Sequence, residues 1–210
     1  MAISATGALG ETVQAGKAPD PRRSRGMAKG MTLMTVRHQG QYALAVQTKK
    51  GILIVPEAAR LLHMYAPHTT DDLLQNEDGP ALTAVVNAAV SSDAAKPAFV
   101  KEDTLEYGPV VMRPEKIVCV GLNYRRHAKE IGMPEPKQPV LFNKFNNALN
   151  HHNGSIKLPV EVAKKFDYEI ELVMVIGKEA KNVSEQDALS YVAGYCTGND
   201  FTARDLQLET

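Results

Sequence analysis

The stretch Asp167-Tyr168-Glu169-Ile170-Glu171-Leu172-Val173-Met174-Val175-Ile176-Gly177 constrains this chain more than any other segment. In a strand, residues i and i+2 share a face and lie about 7 Å apart. Glu169 and Glu171 therefore project together, beside Val173 and Val175, while Tyr168, Ile170, Leu172 and Met174 form the opposite face. Both faces are apolar downstream, so the strand is expected to be largely buried on both sides. Two carboxylates on one face of such a strand repel each other and lose hydration. A hard divalent cation relieves both costs, because carboxylate oxygens are the ligands that Mg²⁺, Ca²⁺ or Mn²⁺ prefer. An E-x-E pair on a solvent-facing edge has the same spelling, and the pattern alone leaves both roles open.

Composition narrows the partners. Lys plus Arg (24) balances Asp plus Glu (24), so the basic excess of a nucleic-acid binder is missing. Trp is absent and aromatics are 6%, which leaves little for base stacking. No apolar run approaches the ~20 residues a bilayer span needs, so no membrane partner is expected. Hydrophobic residues at 44% and charged residues at 23% are those of an ordinary globular chain. The two cysteines, Cys119 and Cys196, lie far apart in apolar stretches with no CxxC pair. They read as buried free thiols of a reducing compartment, and the expected location is cytoplasmic.

The chain divides by composition into three segments. Residues 1–30 carry five basic residues against Glu11 and Asp20 and few large apolar side chains. Such a segment cannot offset its ordering entropy, and a disordered tail is expected. Residues 31–100 read as a small α+β domain. Three short strands (MTLMTVRH, QYALAVQT, GILIVP) precede a helix opened by Pro56, a second capped around Thr70-Asp71-Asp72, and a third over ALTAVVNAAV. Ser91–Pro97 reads as a linker. Residues 101–210 are expected to be mostly β, with strands at LEYGPVVM, KIVCVGL, PVLFNKF, DYEIELVMVIG and YVAGYCTGND. Short helices are expected after Asn123, at SEQDALSYV and at ARDLQ.

Two further groups can carry chemistry. Asp200 closes an apolar strand and precedes the short helix with Arg204 and Asp205. An acid there can complete a metal site, or it can cap the helix. In GLNYRRHAKEIG, His127 and Glu130 lie three apart and share one helical face. A carboxylate beside an imidazole raises its basicity and fixes its tautomer, which suits a general base for water. A surface ion pair has the same spacing.

LNYRRHAKEIG, PVLFNKF, FDYEIELVMVIGK and AGYCTGNDFTARDLQ, in that order and spacing, closely resemble the fumarylacetoacetate hydrolase family over about residues 114–208. The resemblance implies an α+β, mostly β chain: a β-roll of that family, preceded by the small α+β domain. It implies Mg²⁺ (or Mn²⁺ or Ca²⁺) on Glu169, Glu171 and Asp200. It implies a His127–Glu130 dyad on a lid helix, with Lys144, Gln207, Arg126 and Tyr124 lining the substrate pocket. The implied reaction is metal-dependent C–C hydrolysis of a small 2,4-dioxo acid such as an acylpyruvate. Decarboxylation of oxaloacetate-type acids, or an isomerase or hydratase step, are the alternatives within the family. A homodimer is implied for the full roll. The family's roll continues beyond the position of Thr210, so the resemblance also implies an incomplete, C-terminally truncated roll with open edges. The alternative of another class is an inactive remnant or an interaction module.

Overall fold

The computed structural model describes residues 30–209, and the expected tail over residues 1–30 lies, Gly30 apart, outside them. The first unit is built on an antiparallel sheet of four strands in sequential order: β1 (Leu33–His38), β2 (Gln41–Thr48), β3 (Gly51–Ile54) and β4 (Phe99–Val100). His38 pairs with Gln41, leaving Gln39-Gly40 as a two-residue turn. Both turn residues have positive φ, 50° and 80°, the backbone that matches the twist of a hairpin. Gly40 is at home there because it lacks a Cβ.

Three helices follow as expected. Pro56 sits in the first turn of α1 (Val55–Leu62). The cap of α2 (Thr70–Asn76) is Thr69, one residue earlier than the sequence suggests. Its hydroxyl accepts from the Asp72 amide and the Asp72 carboxylate accepts from the Thr69 amide, both at 3.0 Å, a reciprocal capping box. The third helix, α3, spans Gly79–Ser91. Leu44, Val46, Leu53, Leu73, Leu82 and Val85 fill the layer between sheet and helices. Val36, Ala43, Ala45, Ile52 and Ile54 form a second cluster with Leu105 and Tyr107 against it.

Two expectations fail in this half. Ser91–Pro97 is not a linker: it ends α3 and enters a 3₁₀ turn, Asp93–Ala98, whose Ala95 and Ala98 are fully buried in the helix-side core. Small alanines let the turn sit close against α1. LEYGPVVM is not a strand either. It makes one isolated bridge, Tyr107 to Val36. Pro109 removes a ladder donor, and Gly108 lies so near the Tyr42 ring that a Cβ would meet Cε1 at 2.6 Å.

That segment is instead tied down by a carboxylate. Asp71, buried near the start of α2, accepts from the amides of Met112 (2.9 Å) and Arg113 (2.8 Å). The first unit's hydrogen bonding thus runs on to Arg113, past the boundary expected at residue 100. Asp71→Ala would strand both amides and is expected to cost about 1–3 kcal/mol in urea unfolding. A cost indistinguishable from zero would show that water reaches this clasp.

The second half consists of three two-stranded ribbons. They pair β5 (Ile117–Gly121) with β6 (Val140–Lys144), β7 (Phe166–Asp167) with β10 (Thr202–Ala203), and β8 (Ile170–Ile176) with β9 (Val192–Asn199). Short helices α4 (Arg125–Glu130), α5 (Glu185–Ala188) and α6 (Arg204–Glu209) lie where the sequence places them. The fold is α+β, with strand outweighing α-helix in this half. The strand around the two glutamates is not buried on both sides. The Glu169/Glu171 face is half-buried, but Tyr168, Ile170, Leu172 and Met174 are exposed. A two-stranded ribbon has one layer against it, so only one face is covered. Cys119 and Cys196 are free and half-buried rather than buried. Among the described residues no helix is long and apolar enough to cross a membrane.

Asp205 anchors α6 to the loop before β7. Its carboxylate accepts from the amides of Lys164 (2.7 Å) and Lys165 (3.3 Å). The Lys164 amide, above all, holds its pKa below the ordinary 3.8. A depressed carboxyl pKa stabilises the fold fully above the ordinary value and loses that contribution as pH falls through the lowered one. Acidifying below 3.8 should therefore lower the melting temperature less in Asp205→Asn than in the natural chain. Parallel acid limbs would contradict this anchor.

Candidate functional site

Strand register places the three acids together. Along the β8–β9 ribbon, Ile170 faces Asn199 and Glu171 faces Gly198. The chain breaks from ladder geometry at Tyr168-Glu169, between β7 and β8. There the Glu169 carbonyl accepts from the Asp200 amide (2.9 Å) and the Glu169 amide donates to Asn199 Oδ1 (3.1 Å). The Asp200–Glu169 backbone bond extends the β8–β9 register by one pair and sets both residues, half-buried, on the side of the ribbon that carries Glu171. Gly198, opposite Glu171, has no room for a side chain: a Cβ would meet Val173 Cγ2 at 2.6 Å.

The β5–β6 hairpin faces these acids. Ile117 pairs with Lys144, and Cys119 lies two residues along on the same face. Lys144 makes an ion pair with Asp200 and donates to the Phe201 carbonyl at 3.3 Å. The Asp200 side chain is 15% exposed. Its Oδ1 is sealed from solvent and accepts no hydrogen bond of good geometry, the Lys144 ammonium standing against it as a counter-charge. Burial, then the Asp200 carboxylate, push the Cys119 thiol above its ordinary range. Lys144 opposes this, and Glu171 adds to it.

The other two acids have their own partners. Glu169 Oε1 takes the Thr202 hydroxyl (3.1 Å) and the Arg204 guanidinium (2.8 Å). Glu171 Oε2 accepts from Asn123 Nδ2 at 3.4 Å. Tyr124, next in the chain, accepts from the Leu172 amide through its hydroxyl at 3.3 Å. Asn123 and Tyr124 thus join the foot of α4 to the acid face.

The remaining expected residues are not brought in. His127 Nδ1 faces Glu130 Oε2 at 3.9 Å, beyond hydrogen-bond reach, and Glu130 is 79% exposed. Among the described residues no hydrogen bond or ion pair joins either to the three acids. Gln207 accepts from Arg204 Nη1 at 2.9 Å and is exposed. Arg126 lines a shallow groove of about 380 Å³ with Arg125, Lys129 and Glu135, and none of the three acids borders it. Four contributors escaped sequence reasoning: Asn123, Asp167, Thr202 and Arg204, the last noted only as part of the helix after Asp200. Thr202 had a signal, since it lies two residues beyond Asp200. Asp167 had the same signal, two residues before Glu169, and Asn123 had none beyond its place beside Tyr124.

The donor set suits a hard divalent ion in its chemistry: three carboxylates carried by neighbouring backbone segments. As the side chains stand, no three such groups converge closely enough to hold an ion among the described residues. Lys144 and Arg204 supply the counter-charge instead. Residues of the right kind are assembled, and closing them on an ion requires Lys144 to leave Asp200.

Residues 116–210 match the family model of the fumarylacetoacetate (FAA) hydrolase C-terminal region, and this segment of the chain belongs to the fumarylacetoacetate hydrolase family. A fumarylacetoacetate hydrolase domain-containing protein 2 homolog of Dictyostelium discoideum is 60% identical over 97 residues, 46% of this chain and 32% of its own. The mitochondrial oxaloacetate tautomerase of Bos taurus is 39% identical over 132 residues, 63% of this chain and 41% of its own. Among solved structures, the maleylpyruvate hydrolase of a Sphingobium species, in complex with manganese(II) and pyruvate, superposes with a TM-score of 0.59. It is 21% identical, covers 82% of this chain and 59% of its own, and at that identity shows a shared fold. The chain spans less than half the length of each of these two curated relatives.

Proposed function

We propose that the chain forms part of a divalent-metal-dependent enzyme that acts on a small 2-oxo or 2,4-dioxo acid. The observation that carries this reading is the register that sets Glu169, Glu171 and Asp200 on one face opposite Lys144. The three carboxylates would hold Mg²⁺, Mn²⁺ or Ca²⁺. When bound, such an ion supplies a Lewis acid for the 2-oxo oxygen and for charge that develops beside it. Lys144, released from Asp200, binds the substrate carboxylate. Tyr124 borders the pocket as it stands, and Gln207 and Arg126 would join it only on moving toward the acids. With α4 moved toward the acids and the dyad tightened, Glu130 would orient His127 through Nδ1, and His127 Nε2 would take a proton from water. The water oxygen attacks the distal carbonyl of the dioxo acid. The C–C bond then breaks, leaving a carboxylic acid on the fragment that took the water oxygen and passing the electron pair to an enolate, whose carbon takes back the proton held by His127 to give the 2-oxo acid.

The similarity to a tautomerase favours a second reading at the same site. There His127 moves a proton between carbon and oxygen of oxaloacetate and no bond to water forms. Acetylpyruvate cleavage and oxaloacetate enol–keto conversion, each assayed with and without EDTA, separate the two. Cleavage that EDTA and Glu169→Ala both abolish supports hydrolysis, and EDTA-sensitive enol–keto conversion alone supports the tautomerase. Activity indifferent to both treatments would defeat the metal scheme. Absence of all activity, with a melt that Mn²⁺ does not shift, would favour an inactive remnant. The homodimer belongs to this proposal and is checked by sedimentation.

A further inference from the structure

The acids have neighbours that the reading above leaves without a task. Arg204 opens α6 and spends all three guanidinium nitrogens. Nε and Nη2 donate to Asp167 Oδ2 at 3.0 and 2.8 Å. Nη2 also meets Glu169 Oε1 at 2.8 Å, and Nη1 donates to Gln207 Oε1 at 2.9 Å. The Thr202 hydroxyl reaches the same Glu169 oxygen at 3.1 Å and its other neighbour, the Asp200 carbonyl, at 3.2 Å. A planar fork held at several points cannot turn without breaking more than one bond.

From this geometry we infer that Asp167, Arg204 and Thr202 form a positioning unit that fixes the rotamer of Glu169, engaging Oε1 so that Oε2 is presented to a cation. This rests on the metal-site reading above. Glu169 needs such help because it lies at the break between β7 and β8, outside the ladder that orients Glu171. Asp167 has a second effect. An arginine alone beside a metal ligand repels a cation, but Asp167 offsets that charge, so Glu169 keeps its negative character while its orientation is held. The spelling D-Y-E on one strand and D-F-T-A-R on the other then makes physical sense: Asp167 and Arg204 serve Glu169 across the β7–β10 pair, where Asp167 lies opposite Thr202.

Charge and positioning predict opposite signs. Arg204→Met removes a positive charge next to the acids, so charge alone would tighten binding of a divalent cation. Positioning predicts weaker binding, by about tenfold or more, as for other groups that orient metal ligands. The experiment is calorimetric titration of MnCl₂ into the full natural chain, Arg204→Met, Arg204→Lys and Asp167→Asn, with circular dichroism confirming a native-like fold. The expected result is binding by the natural chain and weaker binding by all three variants. Thr202→Val, which removes only a hydroxyl, stands in for any variant that fails to fold, and its affinity should also drop. Variants that bind Mn²⁺ as tightly as the natural chain, or more tightly, overturn the positioning unit and leave the metal site standing. A natural chain that takes up no Mn²⁺ overturns both.

Discussion

Leu53→Ala is expected to destabilise the first unit by about 2–5 kcal/mol, the range for truncating a large aliphatic side chain in a packed core. Leu53 is fully buried on β3, among Leu44, Val46, Leu73 and Leu82. Part of the loss is transfer of the isobutyl group, and part is the cavity that strands and helices cannot close. Against a total of about 5–15 kcal/mol for a domain, that is a large share. The same substitution at Leu172 is the control. Leu172 is 62% exposed on the outer face of the β8–β9 ribbon, so its removal should change stability by less than about 0.5 kcal/mol. Urea unfolding of both variants measures the contrast. Equal costs would mean that the outer face of β8 is covered in solution.

Asp200→Asn is expected to have the largest effect on the site. It removes a hard oxygen donor with its charge, and it leaves the mostly buried Lys144 ammonium without its counter-charge. Loss of a ligand should exceed the about 10–100-fold penalty for disturbing a group that merely supports one. Divalent binding should therefore fall below detection at millimolar Mn²⁺, and any EDTA-sensitive activity should vanish with it. Stability should fall too, because a charge kept from water without a partner is costly. Lys144→Met in the Asp200→Asn background removes the stranded charge and should restore stability without restoring metal binding. If the double variant binds Mn²⁺ like the natural chain, Asp200 is no ligand.

Much of this was legible in the residues because local chemistry decides it. The strands and helices of residues 33–91 follow from alternation, from Gly40 in its turn and from Pro56 in a helix's first turn. Antiparallel pairing of β8 with β9 brings Glu171 and the residues just outside the ladder, Glu169 and Asp200, near one another, but Glu169 sits at a break that strand alternation does not foresee. What could not be read depends on distant neighbours. Ser91–Pro97 looks like a linker until α1 and α3 are seen to enclose Ala95 and Ala98. LEYGPVVM alternates like a strand, but Tyr42 and Asp71, far away in sequence, dictate its path. The burial expected for both faces of the Glu169–Ile176 stretch assumed layers on each side, whereas β8 pairs with β9 alone. His127 and Glu130 share a helical face as their spacing requires, but no spacing rule tells how far α4 stands from the acids.

In the proposed scheme Glu169, Glu171 and Asp200 act as one cation site. Bound ions can be counted from the paramagnetic resonance of free Mn²⁺ in the natural chain and in Glu169→Gln, Glu171→Gln and Asp200→Asn. One saturable ion per natural chain, lost or severely weakened in every variant, is the expected result. No bound ion in the natural chain, or binding that survives all three substitutions, would contradict it.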